Sequence, residues 1–246
     1  MGTGRTSRID WGQLGILSER YLELIGSDLG STLLLILQAP IIAVCVILVW
    51  GDYDEPTSSL YFVLALSAIW FGAINACREI VKERAIFERE RRVGLEPAAY
   101  VLSKLTILSM LGFVQCLCLI FLVDVYVPLP GVTLWHFLVL FSASLAGTAL
   151  GLALSAVVST PDRAVAAVPI LLLPQILFSE MVVSHEHSGN LIKTLENLTF
   201  TAWAHQGLKE VTAADPSLFT ILKCMFVLLV MAALLTGAAV LLVRRR

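Results

Sequence analysis

The stretch SSLYFVLALSAIWFGAINAC (residues 58–77), followed at once by REIVKERAIFERERR (residues 78–92), decides the fold class of this chain. The first part has 20 residues and no charged side chain. A helix of about 20 apolar residues crosses roughly 30 Å of hydrocarbon. The second part carries six cations and four acids in 15 positions. The pair therefore predicts a membrane-spanning helix that ends in a charged segment at the membrane surface.

The composition extends this prediction to the whole chain. Of 246 residues, 58% are hydrophobic and only 15% are charged, and the mean hydropathy of +0.85 is far outside the range of soluble proteins. Helices satisfy their own backbone hydrogen bonds in lipid, and the short alternating strands of a barrel are absent from the sequence, so we predict an all-α polytopic membrane protein. The six predicted transmembrane helices cover residues 31–50, 58–77, 98–124, 132–158, 164–183 and 218–243.

The cations predict the orientation of these spans. When the spans are threaded alternately, 14 of the 17 Lys and Arg residues fall on one side, and only Lys193, Lys209 and Lys223 fall on the other. The positive-inside rule places the first side in the cytoplasm, with both termini. We therefore expect a multi-pass protein of the plasma (inner) membrane. The net charge of −2 gives no basic character that would indicate a nucleic-acid partner.

An amphipathic pattern precedes the first span. In residues 10–27 the apolar side chains recur every three or four positions, opposite Glu19, Arg20 and Glu23. This pattern predicts a helix that lies along the inner membrane interface. A simple lead-in helix without a role in signalling remains an alternative.

The charged segment after the second span predicts a helix-turn over about residues 78–96. Gly94 suits the end of a helix and Pro97 suits the first turn of the next one. Ile86 and Phe87 lie within this charged sequence, and an exposed apolar tip usually needs a partner. A solvated positive-inside anchor would explain the cations but not this apolar tip.

The chain divides into two parts, and the charged segment lies within the second. Residues 1–30 form a cytoplasmic N-terminus with the amphipathic helix, and residues 31–246 form the six-span domain. Within that domain, residues of about 184–216 are too apolar for a free loop, and we expect short helices that dip back into the outer leaflet.

Few polar side chains interrupt the spans. Gln38 in the first span and Asn75 in the second are costly in lipid, so each should face protein or a water-filled cavity. Gly147 and Gly151 have the G-x-x-x-G spacing that lets a neighbouring helix approach closely, which favours packing over transport.

The sequence has no catalytic or nucleotide-binding motif. A phosphate-binding P-loop requires glycine before its lysine, and none of the five lysines follows a glycine. The sequence also lacks the G-x-S-x-G and H-E-x-x-H patterns. His185, Glu186 and His187 are better explained by a solvated outer loop than by a metal site. We therefore predict no enzyme activity, no cofactor and no metal in this chain.

Eight residues around the charged segment carry a resemblance to a known family: Glu83, Ile86, Phe87, Arg89, Glu90, Gly94, Tyr100 and Lys104. Together they resemble the signature between the second and third spans of the transmembrane domain of ABC type-2 exporters, and more specifically of the White or G-subfamily (ABCG-like) permeases. The order of elements is similar to that family over nearly the whole chain.

The resemblance implies a set of functional residues. The charged helix-turn would be the coupling element that docks on an ABC ATPase, which binds ATP and Mg itself. Two copies of the permease would pair as a homodimer, with the substrate path between their second and fifth spans. The implied coupling residues are Arg84, Phe87, Glu88, Arg89 and Glu90, which would pair with Glu19, Arg20 and Glu23 of the interfacial helix. The implied path residues are Gln38, Trp70, Phe71, Asn75, Leu177, Phe178, Met181 and Val182.

The function predicted from these observations is that of a permease subunit of an ATP-driven exporter, embedded in membrane lipid and powered by a separate ATPase subunit or domain. The many apolar and few polar groups in the spans favour an amphipathic or lipid-like cargo. A membrane scaffold or assembly subunit that transports nothing is the alternative. A secondary transporter ranks third, because the span interiors have no carboxylate that would bind a coupling ion.

Overall fold

The computed structural model describes residues 11–53, 57–127, 129–179 and 194–245. These residues contain nine helices of nine residues or more and no strand, which confirms the all-α class. The helices are α1 (Trp11–Ser27), α2 (Leu29–Trp50), α3 (Ser58–Ala76), α4 (Arg84–Arg92), α5 (Pro97–Tyr126), α6 (Thr133–Val157), α7 (Pro161–Leu177), α8 (Phe200–Val211) and α9 (Leu218–Arg245).

Five helices in the described part of the chain are long and apolar enough to cross a membrane, namely α2, α3, α5, α6 and α9. They correspond to five of the six predicted spans. The remaining predicted span, residues 164–183, overlaps α7, which has 17 residues and is therefore about 25 Å long. Since residues 180–183 lie outside the described residues, the six-span count stays a prediction.

Helices α3 and α6 form the centre of the bundle, and their backbones are in close contact. A Cβ atom added to Gly147 would lie 2.2 Å from the carbonyl oxygen of Ile69, and one added to Gly151 would lie 2.6 Å from that of Ala73. Gly72 meets α6 in the same way. No larger side chain fits at these positions, which confirms the predicted packing role of Gly147 and Gly151.

Helices α2 and α9 lie at the outside of the bundle. In their most apolar windows only 17% and 28% of residues are buried, against 67% in α3 and in α6. Their outward side chains, such as Leu34, Leu48 and Phe226, are large and apolar. An exposed apolar surface of this extent requires contact with lipid or with another protein.

A turn over residues 77–83 separates α3 from α4. The Ser155 hydroxyl of α6 accepts hydrogen bonds from the backbone N–H groups of both Ile80 and Val81, each at 3.0 Å. These two groups therefore bond to a neighbouring helix at the point where α3 has ended. Gly94, with a φ of +107°, follows α4, and Pro97 begins α5, as the sequence predicts.

Helix α8 occupies part of the predicted outer segment, residues 184–216. Its buried side chains, among them Ala204 and Leu208, face the core, and His205 Nε2 lies 3.0 Å from the Ser58 hydroxyl at the start of α3. The Thr199 hydroxyl accepts the N–H of Ala202 and caps the helix. Residues 184–193 lie outside the described residues, and a dip into the outer leaflet stays a prediction.

Candidate functional site

Four parts of the chain meet at one end of the bundle: α1, the turn 77–83, α4 and the first turns of α5. We call this assembly the charged end. Buried charges, aromatic rings and interhelical hydrogen bonds converge here.

Lys104 lies at the centre of the charged end. Its side chain is 1% exposed, and its Nζ lies 2.8 Å from Oε2 of Glu83 and 4.0 Å from Oε2 of Glu79. The ammonium group also lies 4.0 Å from the ring centroid of Tyr21 and 5.2 Å from that of Tyr100. A buried cation needs such partners, because burial removes its hydration.

The two tyrosines and Lys82 complete the bonding of the carboxylates. The Tyr21 hydroxyl donates a hydrogen bond to Glu79, and the Tyr100 hydroxyl donates one of 3.3 Å to Glu83. Lys82 Nζ lies 2.7 Å from Oε1 of Glu79. Burial raises the pKa of the Tyr21 phenol well above its ordinary value, so that this hydroxyl stays protonated and can donate. The network thus links α1, the turn and α5.

Helix α4 is joined to α1 by a second set of contacts. Arg20 Nη1 lies 2.5 Å from Oε1 of Glu90, and this hydrogen bond raises the pKa of Arg20. The Gln13 side chain donates to the carbonyl of Gly94 at 3.4 Å and accepts from the N–H of Glu96 at 3.1 Å. Helix α1 therefore contacts both the end of α4 and the loop that leads to α5.

Two arginines join α4 to the remaining helices at this end. The Arg84 guanidinium donates to the carbonyl of Val158, directly after α6. Arg91 donates to the carbonyl of Val243 at 3.3 Å and to that of Arg244 at 2.6 Å, both at the end of α9. A displacement of α4 would therefore change its contacts with α1, α5, α6 and α9.

The structure corrects the prediction for Phe87. Its ring is buried and lies 4.7 Å, centroid to centroid, from the ring of Tyr100, so it cannot be an exposed apolar tip. The large apolar side chains that α4 and its end do expose are Ile86, at 42%, and Val93. The sequence pattern located the apolar segment but not the face of the helix, which depends on the position of α5.

Fewer residues of α1 pair with α4 than predicted. Of the three α1 residues, Arg20 contacts Glu90, whereas Glu19 and Glu23 are exposed and have no ion pair within the described residues. Glu88 and Arg89 are also exposed, and Arg89 donates to the carbonyl of Ala85 in its own helix. The sequence analysis did not identify Tyr21 and Glu79 as site residues. An aromatic residue of the interfacial helix and an acid of the charged segment could have indicated them, because these two segments were expected to pair.

The predicted path residues of the second span do not share one environment. Phe71 is completely buried in the hydrophobic core, which contradicts a position on an open path. Trp70 is partly buried. Asn75 is buried, and its Nδ2 donates to Gln115 Oε1 at 2.6 Å. Gln115 in turn donates to the carbonyl of Leu35 at 2.7 Å, so this chain of hydrogen bonds links α3, α5 and α2.

The other predicted path residues lie on α2 and at the end of α7. Gln38 is half-buried in α2, Leu177 is exposed and Phe178 is half-buried. Met181 and Val182 lie outside the described residues, as do His185, Glu186 and His187. Within the described residues, no cluster of three or more potential metal ligands occurs.

Comparison with known proteins adds two findings. Residues 12–212 match the family described as ABC-2 type transporter. The chain is also 29% identical over 186 residues to an ABC transporter ATP-binding/permease protein of Mycobacterium tuberculosis. This alignment covers 68% of the present chain and 22% of the relative, so the chain spans little more than a fifth of the relative's length.

Proposed function

The chain belongs to the ABC-2 type transporter family, and from that membership we propose that it is a permease that exports an amphipathic or lipid-like molecule with the energy of ATP hydrolysis. The ATPase is a separate subunit or domain that binds ATP and Mg, and two copies of the permease form the working unit in the plasma membrane. The White or G-subfamily is the branch that its signature residues resemble.

The observation that carries this proposal is the anchoring of α4. Glu90, Arg84 and Arg91 each bond to a different part of the bundle, while Ile86 and Glu88 on the same helix are exposed. A short helix with one face bonded to several spans and the other face free is suited to receive a partner and to pass its displacement to the spans. We propose that this partner is an ATPase whose closure around bound nucleotide displaces α4.

Two further observations support the division of labour. None of the five lysines in this sequence follows a glycine, and we therefore propose that the phosphate-binding loop lies in a separate subunit or domain. The relative's name joins ATP-binding and permease functions in a protein of which the present chain covers 22%. We propose that the present permease works with an equivalent ATP-binding part.

We infer the class of cargo and the second copy of the permease from the apolar surface of the bundle. Helices α2, α7 and α9 expose large apolar side chains, among them Ile41, Ile170 and Leu234. A homodimer that uses part of this surface would enclose a largely apolar path, and such a path suits an amphipathic molecule better than a sugar polymer. Trp70, Leu177 and Phe178 remain the proposed residues along it, whereas Asn75 is buried and bonded to Gln115.

The test compares Glu90→Gln with Glu88→Gln in the complex of permease and ATPase. Glu90 pairs with Arg20, whereas Glu88 is an exposed acid on the same helix without an ion pair in the described residues. In proteoliposomes we expect Glu90→Gln to retain the ATPase and its hydrolysis but to lose most export of a fluorescent phospholipid analogue. Glu88→Gln should export normally.

Three outcomes would count against the proposal. If no nucleotide-binding protein co-purifies with the gently extracted chain, the scaffold alternative becomes the better account. If the purified chain alone hydrolyses ATP, the division of labour is wrong. If Glu90→Gln exports as well as the unmodified complex, α4 does not couple the two parts through its contact with α1.

A further inference from the structure

A cavity of about 260 Å³ lies at the charged end, between α1, α2, the end of α3 and α5. It lies below the roughly 300–1,000 Å³ range of sites for drug-sized ligands, so it has room for a polar headgroup and the first part of a chain, not for a large molecule. Glu79 and Tyr21 of the Lys104 network form part of its wall. A ligand here would therefore touch the contacts that hold α1 to the bundle.

One side of the cavity is apolar. Leu35 of α2 and Leu108 and Leu111 of α5 line it, together with Leu24 and Ile25 of α1. Aliphatic side chains on three helices offer a hydrocarbon chain a surface on which to pack.

The other side carries two opposite charges. Arg78 is exposed, and its guanidinium makes no ion pair in the part of the chain that the structure describes. Asp28 is exposed as well, and hydrogen bonds from the side chain and then from the N–H of Ser31 lower the pKa of its carboxyl, with the nearby Lys82 and Arg78 acting in the same direction. Lys82 is engaged by Glu79 at 2.7 Å. The cavity thus offers one cation and one anion to a ligand.

Asn75 supplies an independent sign that a ligand belongs here. Its side chain lines the cavity, and the residue is only 2% exposed. The Nδ2 atom bonds to Gln115, but the buried Oδ1 atom has no hydrogen-bond partner within the described residues. A buried acceptor without a donor is costly, so an N–H donor of a ligand, such as an ammonium group, would satisfy it.

The position along the spans indicates the source of the ligand. Asp28 immediately precedes α2 and Arg78 lies two residues after the end of α3, so both charges lie where two candidate spans end. At that depth hydrocarbon gives way to lipid headgroups. Next to it, α2 exposes Leu33, Leu34 and Leu37, which are suited to contact lipid chains.

We propose that this cavity binds a zwitterionic phospholipid, with the phosphate on Arg78, the ammonium group on Asp28 and the upper part of one acyl chain on Leu35, Leu108 and Leu111. A wholly anionic headgroup fits less well, because Asp28 and Glu79 would repel it. This inference goes beyond the proposed function, since the lipid is a resident ligand that supports the attachment of α1, whatever the exported cargo is.

The experiment measures lipid bound to the detergent-purified chain by native mass spectrometry. Phosphatidylethanolamine and phosphatidylglycerol are compared at equal concentration, and soluble phosphoethanolamine is the arm that tests for recognition of the headgroup alone. We expect retention of phosphatidylethanolamine over phosphatidylglycerol. Phosphoethanolamine should neither bind nor compete at the same concentration, because it lacks the chain that the leucines contact.

Three variants identify the site. Because a hydrogen bond to a charged group is worth roughly 1.5–3 kcal/mol, Arg78→Gln should weaken the binding of both lipids about tenfold or more. Asp28→Asn should retain binding but remove the preference for phosphatidylethanolamine. Arg92→Gln, which removes an exposed cation outside the cavity, should change neither property.

Unchanged lipid retention in Arg78→Gln would overturn the proposal. So would displacement of the lipid by phosphoethanolamine alone, which would indicate a site for a soluble phosphate ester. If Arg78→Gln fails to fold, Asp28→Asn still decides, because an unaltered preference between the two lipids excludes the proposed pairing of charges. No step of this experiment requires an ATPase or transport, so its failure would leave the permease proposal intact.

Discussion

At the scale of single residues, Lys104 shows how a charge is accommodated inside the bundle. Its ammonium group is enclosed by Glu83, Glu79 and two aromatic rings, and its side chain is 1% exposed. Such a cluster contributes less to stability than its contacts suggest, because burial of the charges has its own cost. Loss of one member is a different matter, since it leaves an opposite charge buried without a partner.

We therefore predict that Lys104→Met destabilises the chain by about 3–5 kcal/mol. Thermal unfolding in detergent measures this effect. The second change Glu83→Gln, made in the Lys104→Met background, should restore part of the loss because it removes the orphaned carboxylate. Lys223→Met is the matched control, since Lys223 is exposed and, among the residues that the structure describes, its contact is a distant one of 5.6 Å with the Trp203 ring. Equal losses in Lys104→Met and Lys223→Met would contradict the prediction.

Two neighbouring residues of α4 should contribute to different properties: Phe87 to the stability of the chain and Ile86 to its association with the ATPase. Phe87→Ala removes a buried ring that packs on Tyr100, and such truncations cost about 3–5 kcal/mol of stability. Ile86→Ala changes a side chain that is 42% exposed, so the melting temperature should hardly change, whereas association with the ATPase should weaken by about 1 kcal/mol or more. Thermal unfolding and retention of the ATPase on an affinity column separate the two effects. Normal retention in Ile86→Ala would remove Ile86 from the proposed interface.

At the scale of elements, the contact between α3 and α6 limits which residues are allowed. Gly147 lies so close to Ile69 that even a methyl group must displace a backbone. Since α3 leads directly into the turn 77–83 and α6 supplies Ser155 to that turn, a change in this contact reaches the charged end.

We predict that Gly147→Ala lowers stability by about 1–3 kcal/mol, the usual effect of overpacking a tight core. The control is Gly237→Ala in α9, where an added Cβ atom has nothing within 4 Å. That change should be neutral or stabilising, because alanine has the higher helix propensity. Melting temperatures of the two variants provide the comparison. A loss of similar size in Gly237→Ala would mean that helix propensity and not contact distance governs these positions.

At the scale of the whole molecule, the charges segregate along the bundle. At the charged end, Arg84 contacts the end of α6, Arg91 contacts the end of α9 and Arg78 lines the cavity, whereas Lys209 lies on α8, which contacts the far end of α3. The positive-inside rule predicts that the charged end faces the cytoplasm.

Single cysteines test this orientation in a variant that lacks the five native cysteines. In intact cells, cysteines introduced at Asp52 and Asp215 should react with an impermeant thiol reagent, and one at Val93 should react only after the membrane is opened. All three native side chains are exposed, so access within the chain does not decide the result. Labelling of the Val93 position in intact cells would reverse the predicted orientation.

The sequence by itself placed five of the spans to within two residues of their ends, but not the predicted span 164–183. Hydrophobic length, the glycine after α4 and the proline that begins α5 act within a few residues, so they can be read along the chain. The spacing of Gly147 and Gly151 also identified a packing face, although not its partner. The charge pair of Glu90 with Arg20 was expected from the family resemblance, not from spacing.

Only the tertiary structure decided how these helices use their side chains. It buried Phe87 against Tyr100, placed Phe71 in the core, left Glu19 and Glu23 without an ion pair in the described residues, and added Tyr21 and Glu79 to the Lys104 network. The cavity beside Arg78 likewise belongs to no single segment. The physical reason is that burial and charge pairing depend on which helices become neighbours, and contacts over 58 to 83 residues of sequence separation, such as Tyr21 to Glu79 and Gln13 to Glu96, leave no periodic signal along the chain.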